Sequence, residues 1–187
     1  MNMEQKELYL FMLLLGGKPK GRHTEQHDVF FGIGSTLSDL LPQINAFWPD
    51  VKLHIDAWRQ VTSVDGHGVT IHRRAPDAMS SSDGSRLFFI NLGGYQKNKF
   101  EEQHYFVLTV QPDKAAAIAA SKTTDFFKTD HFSTHVDDKY GIDVDDLFQI
   151  EELLTEDEKD LYQIVITAGE PVSPDIFHLG YTKLSML

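Results

Sequence analysis

The chain has 187 residues, 41% of them hydrophobic, and a formal net charge of −11 with a pI near 5.1. That length and apolar content allow one medium domain or two small ones with a buried core, while the negative charge disfavours nucleic acid and anionic membranes as partners. There is no cysteine, which excludes disulfides, thiolate nucleophiles and cysteine-ligated zinc and fits a cytoplasmic protein.

In chain order, the longest apolar run is LYLFMLLL at 8–15. It is too short to cross a bilayer, and its flanks have neither the basic start nor the small-residue cleavage site of a signal peptide. It reads as a buried strand over 7–15. The pair Gly16-Gly17 then opens a loop carrying Lys18, Lys20, Arg22 and His23, which leads to the triplet Glu25-Gln26-His27. A second strand follows near 28–34. Leu37, Leu40, Leu41, Ile44, Phe47 and Trp48 recur at three-and-four spacing, which predicts a helix over 36–48, with Ser35 or Thr36 able to cap its first turn and Pro49-Asp50 ending it. Strands near 51–63 and 68–74 complete a ββαββ unit.

RAPDAMSSSDGS at 74–85 has the Pro, Ser and Gly density of a linker. The organisation is therefore a first unit over 1–76, a linker over 77–85 and a second unit over 86–187, the two packing as one compact body. In the second unit, strands near 86–92 and 104–110 lead to Pro112-Asp113, a favourable helix start, and to an Ala-rich helix closing at Phe126 and Phe127. Strands near 147–153 and 161–167 follow. The tail HLGYTKL at 178–184 echoes NLGGYQK at 91–97 and reads as a last strand completing a sheet.

The two halves share more than element order. Residues 10–27 align with 87–104 without a gap, with identities at Leu10/Leu87, Phe11/Phe88, Leu15/Leu92, Gly16/Gly93, Gly17/Gly94, Lys20/Lys97, Glu25/Glu102, Gln26/Gln103 and His27/His104. Further on, HID at 54–56 is matched with HVD at 135–137, and WRQV at 58–61 with LFQI at 147–150 if the second copy carries the insert DKYGIDVDD. An internal duplication follows, and with it an α+β fold: two tandem ββαββ repeats, mainly antiparallel sheet, one helix per repeat, in a pseudo-two-fold arrangement.

Two chemistries fit the repeated residues. A glycine pair after a strand allows positive φ and a close backbone approach. With Lys18, Lys20 and Arg22 in one copy and Lys97 and Lys99 in the other, the loops suit a small anionic ligand held by amides and ammonium groups, with Gly16, Gly17, Gly93, Gly94, Glu25, His27, Glu102 and His104 lining the site. Alternatively, Glu25 and His27 lie on one face of an extended segment, as do Glu102 and His104. His54 with Asp56 and His135 with Asp137 share that spacing. If the strands are neighbours, each unit gathers Glu, His, His and Asp, a ligand set for zinc, manganese or iron(II). The same groups could instead fasten the loop by accepting from its amides and donating to its carbonyls.

Other patterns carry less. GIGSTL at 32–37 follows a strand and opens a helix, but Leu37 replaces the third glycine of a dinucleotide-binding turn. The acidic runs DDKYGIDVDD at 137–146 and TEDEKD at 155–160 lack EF-hand spacing and read as solvated turns. No G-x-S-x-G elbow is present.

Together, LYLFMLLLGG, the repeated GG-x7-EQH and HVDDKYGIDVDDLFQI resemble a small bacterial family of domains of unknown function, number fifteen-forty-three. The resemblance implies one or two copies of the domain per chain, two of them here, and a bacterial source. It brings no activity, cofactor or site residue. The leading expectation is a non-catalytic protein binding a small anion or a partner. The alternative is a metal-dependent enzyme, possibly a hydrolase, using the Glu-x-His and His-x-Asp groups.

Overall fold

The first apolar run forms β1 (Tyr9–Gly17), and it is apolar on both sides because it is an inner strand. Phe11, Leu13 and Leu15 point to a helix on one face, and Leu10 is fully buried on the other. The computed structural model describes residues 6–74, 84–96, 98–124, 132–133, 143–169 and 173–187. It is an α+β fold in which every described strand pair is antiparallel. No helix among the described residues is long and apolar enough to cross a membrane.

The chain divides into two compact units, residues 1–79 with 153–187, and residues 80–152. In the first, β1 lies between β2 (Gln26–Gly34) and β3 (Leu53–Val61), and β11 (His178–Lys183) adds to the outer side of β3, giving the order β11-β3-β1-β2. The tail strand expected at 178–184 therefore completes this sheet. A smaller sheet joins β4 (Ser63–Val64), β5 (His67–Arg73) and β10 (Tyr162–Ala168). Pairing of β10 with β5 ties 153–187 to the first unit.

The helix expected over 36–48 is a 3-10 turn, Leu37–Leu40, running into α1 (Leu41–Phe47), with Pro42 in its first turn. The Asp39 carboxylate accepts from the Thr36 and Ser35 backbone N–H groups at 2.8 and 2.9 Å, and the Thr36 bond in particular holds its pKa below the usual carboxylate value. Leu40 and Ile44 pack onto Phe11, Leu13, Leu15, Phe30, Leu53 and Ile55.

In the second unit, β6 (Arg86–Gln96) lies between β7 (Glu102–Gln111) and β9 (Asp143–Gln149), and β8 (Phe132–Ser133) pairs with its far end. α2 (Lys114–Ser121) sets Ala117 on Phe88, Ile90 and Leu92. Asp113 caps it by accepting from Ala116 N–H at 2.8 Å, an interaction worth about 1 kcal/mol.

The Ala-rich helix ends at Ser121, and Phe126 and Phe127, where it was expected to close, lie outside the described residues. Two further segments differ from the sequence reading. The strand expected at 147–153 ends at Gln149 and turns into a helical turn, Ile150–Leu153, which buries Ile150. TEDEKD, read as a solvated turn, is part of a helix, Glu156–Leu161. Glu158 accepts from the Thr155 N–H at 2.9 Å and, deeper in, from the Ile33 N–H at 2.7 Å. A buried carboxylate bonded at both oxygens holds this helix against β2.

Candidate functional site

The glycine pair is not a loop element. Gly16 and Gly17 end β1, Gly93 and Gly94 lie within β6, and none of the four has positive φ. The turn glycine of the first loop is Gly21, at φ +82, where Arg22 N–H donates to Pro19 C=O. Gly16 pairs with His27 on β2 and with His54 on β3, so its backbone is committed to the sheet.

What Gly16 contributes is an absent side chain. A Cβ there would collide with His54 Nε2 and come within 2.6 Å of Asp56 Oδ2 and 2.9 Å of Glu25 Oε1. A Cβ on Gly17 would instead meet Val51 and Leu53 on the core side, at 2.6 and 2.9 Å. Because successive residues face opposite ways, one glycine clears the outer face and the other clears the core.

Glu25, His27, His54 and Asp56 meet over Gly16. β2 and β3 are not neighbours as the sequence argument required; β1 separates them. Two strand spacings come to roughly 10 Å, a gap these long side chains close only because Gly16 leaves its face bare. Asp56 reaches the site through a β-bulge: Leu15 pairs with Ile55 and Leu14 with Ala57, leaving Asp56 as the extra residue. Bulges re-aim side chains in this way.

The contacts alternate between nitrogen and oxygen. His54 Nε2 lies 2.9 Å from Glu25 Oε1 and 3.3 Å from Asp56 Oδ1. His27 Nε2 lies 3.0 Å from Asp56 Oδ2 and 3.4 Å from Glu25 Oε1. Asp56 Oδ2 is buried, and the His27 Nε2 atom 3.0 Å away makes a charge contact with it but not a hydrogen bond. Glu25, His27 and Asp56 offer donor atoms all within 4.8 Å of one another, and His54 touches both carboxylates. The His54 side chain is 9% exposed, against 46% for His27 and 44% for Glu25, so the set has a buried side and an open one. Tyr181 on β11 lies over the His54 ring, centroids 4.5 Å apart.

The second unit repeats this register. Gly93 pairs with His104 on β7 and with Asp143 on β9. Leu92 pairs with Val144 and Asn91 with Asp146, so Asp145 is the bulged residue, in the place of Asp56. Glu102, His104 and Asp145 form a second set with donor atoms within 4.8 Å of one another. His104 Nε2 is 3.3 Å from Asp145 Oδ2 and 3.7 Å from Glu102 Oε2. A Cβ on Gly93 would come within 2.5 Å of Asp145 Oδ2 and 2.8 Å of Glu102 Oε1.

Asp143 and Asp145 escaped the sequence reading, which placed the counterparts of His54 and Asp56 at His135 and Asp137. Those two residues, like Lys97, lie outside the described residues. HIDAWRQV at 54–61 aligns without a gap with DVDDLFQI at 143–150, and the strand registers agree. The remaining candidates, Lys18, Lys20, Arg22 and Lys99, are exposed. None of these four makes an ion pair among the described residues.

Residues 22–71, a span holding Glu25, His27, His54 and Asp56, match the family model described as Domain of Unknown Function (DUF1543). No curated protein matches. The chain is similar in fold to the crystal structure of a protein Il1583 from Idiomarina loihiensis, at 20% identity and a TM-score of 0.65, over 95% of this chain and 99% of that one.

Proposed function

We propose that this protein binds a divalent transition-metal ion on the outer face of its first sheet, with Glu25, His27 and Asp56 as ligands and His54 completing the set. The convergence of the four side chains over Gly16 carries this reading. Donor atoms sharing one ion at about 2.0–2.2 Å lie about 3.0–3.5 Å apart, and the nitrogen–oxygen separations here run from 2.9 to 3.4 Å. The buried Asp56 oxygen without a hydrogen bond gains a partner in the same step. Two imidazoles with two carboxylates suit zinc, manganese or iron(II). Half-exposed Glu25 and His27 leave one side of the ion open to water or another oxygen ligand, the arrangement a hydrolytic site needs.

The anion reading has less support, because Gly16 and Gly17 lie in β1 between two strands and offer no cradle of free amides. An internal duplication is the second part of the proposal. It is supported by the recurrence, in both units, of a glycine between a Glu-x-His strand and a strand with a bulged aspartate.

Elemental analysis of the full chain, purified without a histidine tag and dialysed against zinc, tests the metal site. His27→Ala is expected to hold one equivalent less than wild type, while the two proteins stripped of metal melt at the same temperature, since His27 is half exposed. Metal-free wild-type protein, or equal metal in both, overturns the proposal.

A further inference from the structure

We propose that the second unit holds its own cation, at Glu102, His104 and Asp145, and that this site favours a harder cation than the first. The inference rests on the metal reading of the first unit, but different residues carry it. Glu102 and His104 alternate on β7, Asp145 is the bulged residue of β9, and both carboxylates crowd the space over Gly93 that a Cβ would fill. Glycine is the one residue that leaves this space to them.

The sets differ where β3 and β9 differ. Opposite Gly16 stands His54, and opposite Gly93 stands Asp143. The first set therefore has two imidazoles and two carboxylates. Among the described residues the second has one imidazole, His104, and two carboxylates, Glu102 and Asp145. Imidazole suits zinc, whereas carboxylate-rich surroundings suit manganese and magnesium. Zinc binds most sites more tightly than manganese does, so the difference appears as a ratio: the preference for zinc over manganese should be smaller at the second site by roughly tenfold, or about 1.4 kcal/mol.

The full chain is titrated with zinc and with manganese as wild type, His27→Ala and His104→Ala, manganese binding being read by electron paramagnetic resonance and zinc by competition. Each variant reports the site it leaves intact. His27→Ala is expected to retain one manganese site with the weaker zinc preference, and His104→Ala one site with the stronger. A His27→Ala protein that binds no cation, while wild type and His104→Ala each bind one, overturns the second site and leaves the first standing. Equal ratios at the two sites overturn the selectivity. Absence of binding in all three proteins overturns both, together with the reading of the first unit.

Discussion

The two glycine-centred clusters are the same construction with one position changed and one element added. Each has a Glu-x-His strand, a bare central strand and a bulged aspartate. They differ at His54 against Asp143. They also differ in what flanks the bulged strand: β3 carries β11 on its outer side, while β9 pairs only with β6 among the described residues. Backbone register thus fixes where these side chains meet, and single positions set which groups they bring.

The largest expected effect comes from loosening the element that the first unit has in addition. Asp175 is 1% exposed; it accepts from the Thr62 N–H and hydroxyl and the Ser63 N–H at 2.8–3.1 Å, with Arg59 Nη1 3.5 Å away. Burial pushes the Arg59 guanidinium down and Asp175 partly offsets this. Asp175→Ala should cost about 3 kcal/mol, because it orphans those donors and leaves a buried cation without its partner. Chemical denaturation measures the loss, and a cost under about 1 kcal/mol would show that this anchor does not hold the segment leading to β11.

Next comes the glycine pair, which separates site from core. Gly16→Ala should weaken zinc binding by about a hundredfold or more, because ligand atoms must leave the space its Cβ takes, with little change in the melting temperature of the metal-free protein. Gly17→Ala should do the reverse, costing about 1–3 kcal/mol of stability by overpacking against Val51 and Leu53 while binding persists. Calorimetric titration and thermal melts of the two variants decide this, and identical behaviour would collapse the distinction between the faces.

Smaller still, His54→Asp should lower the zinc preference of the first site by roughly tenfold, toward that of the second. Competition titration reads the change. The smallest effect expected is from Tyr181→Ala, which removes the ring over His54 and should weaken zinc binding by no more than about tenfold. An effect as large as that of His27→Ala would make Tyr181 part of the ligand set itself.

Much of the fold was legible in residue spacing. The run at 8–15, the leucine pattern over 36–48 and Pro112-Asp113 each state a local preference that the tertiary structure keeps. The helix at 156–161 was legible too, since Thr155 and Glu158 have the spacing of a capping box, but the acidic composition drew attention away from it. Of the first site, alternation placed Glu25 with His27 and His54 with Asp56, yet alternation says nothing about strand order. That the pairs meet across a third strand depends on long-range pairing, and that Gly16 allows it depends on what a side chain would strike. In the second unit the likeness of HVD at 135–137 to HID at 54–56 drew the counterparts upstream and made an insert of the segment that holds Asp143 and Asp145. The gap-free match of 54–61 with 143–150 was there to be read, and the strand registers agree with it.

The most direct test of the metal centre is an anomalous difference map from crystals of the full chain grown with zinc. The account predicts a peak above Gly16, about 2.0–2.2 Å from a carboxylate oxygen of Glu25, an oxygen of Asp56 and the Nε2 atom of His27. Glu25, His27, His54 and Asp56 bonded only to one another or to water at millimolar zinc, with no peak between them, would contradict it.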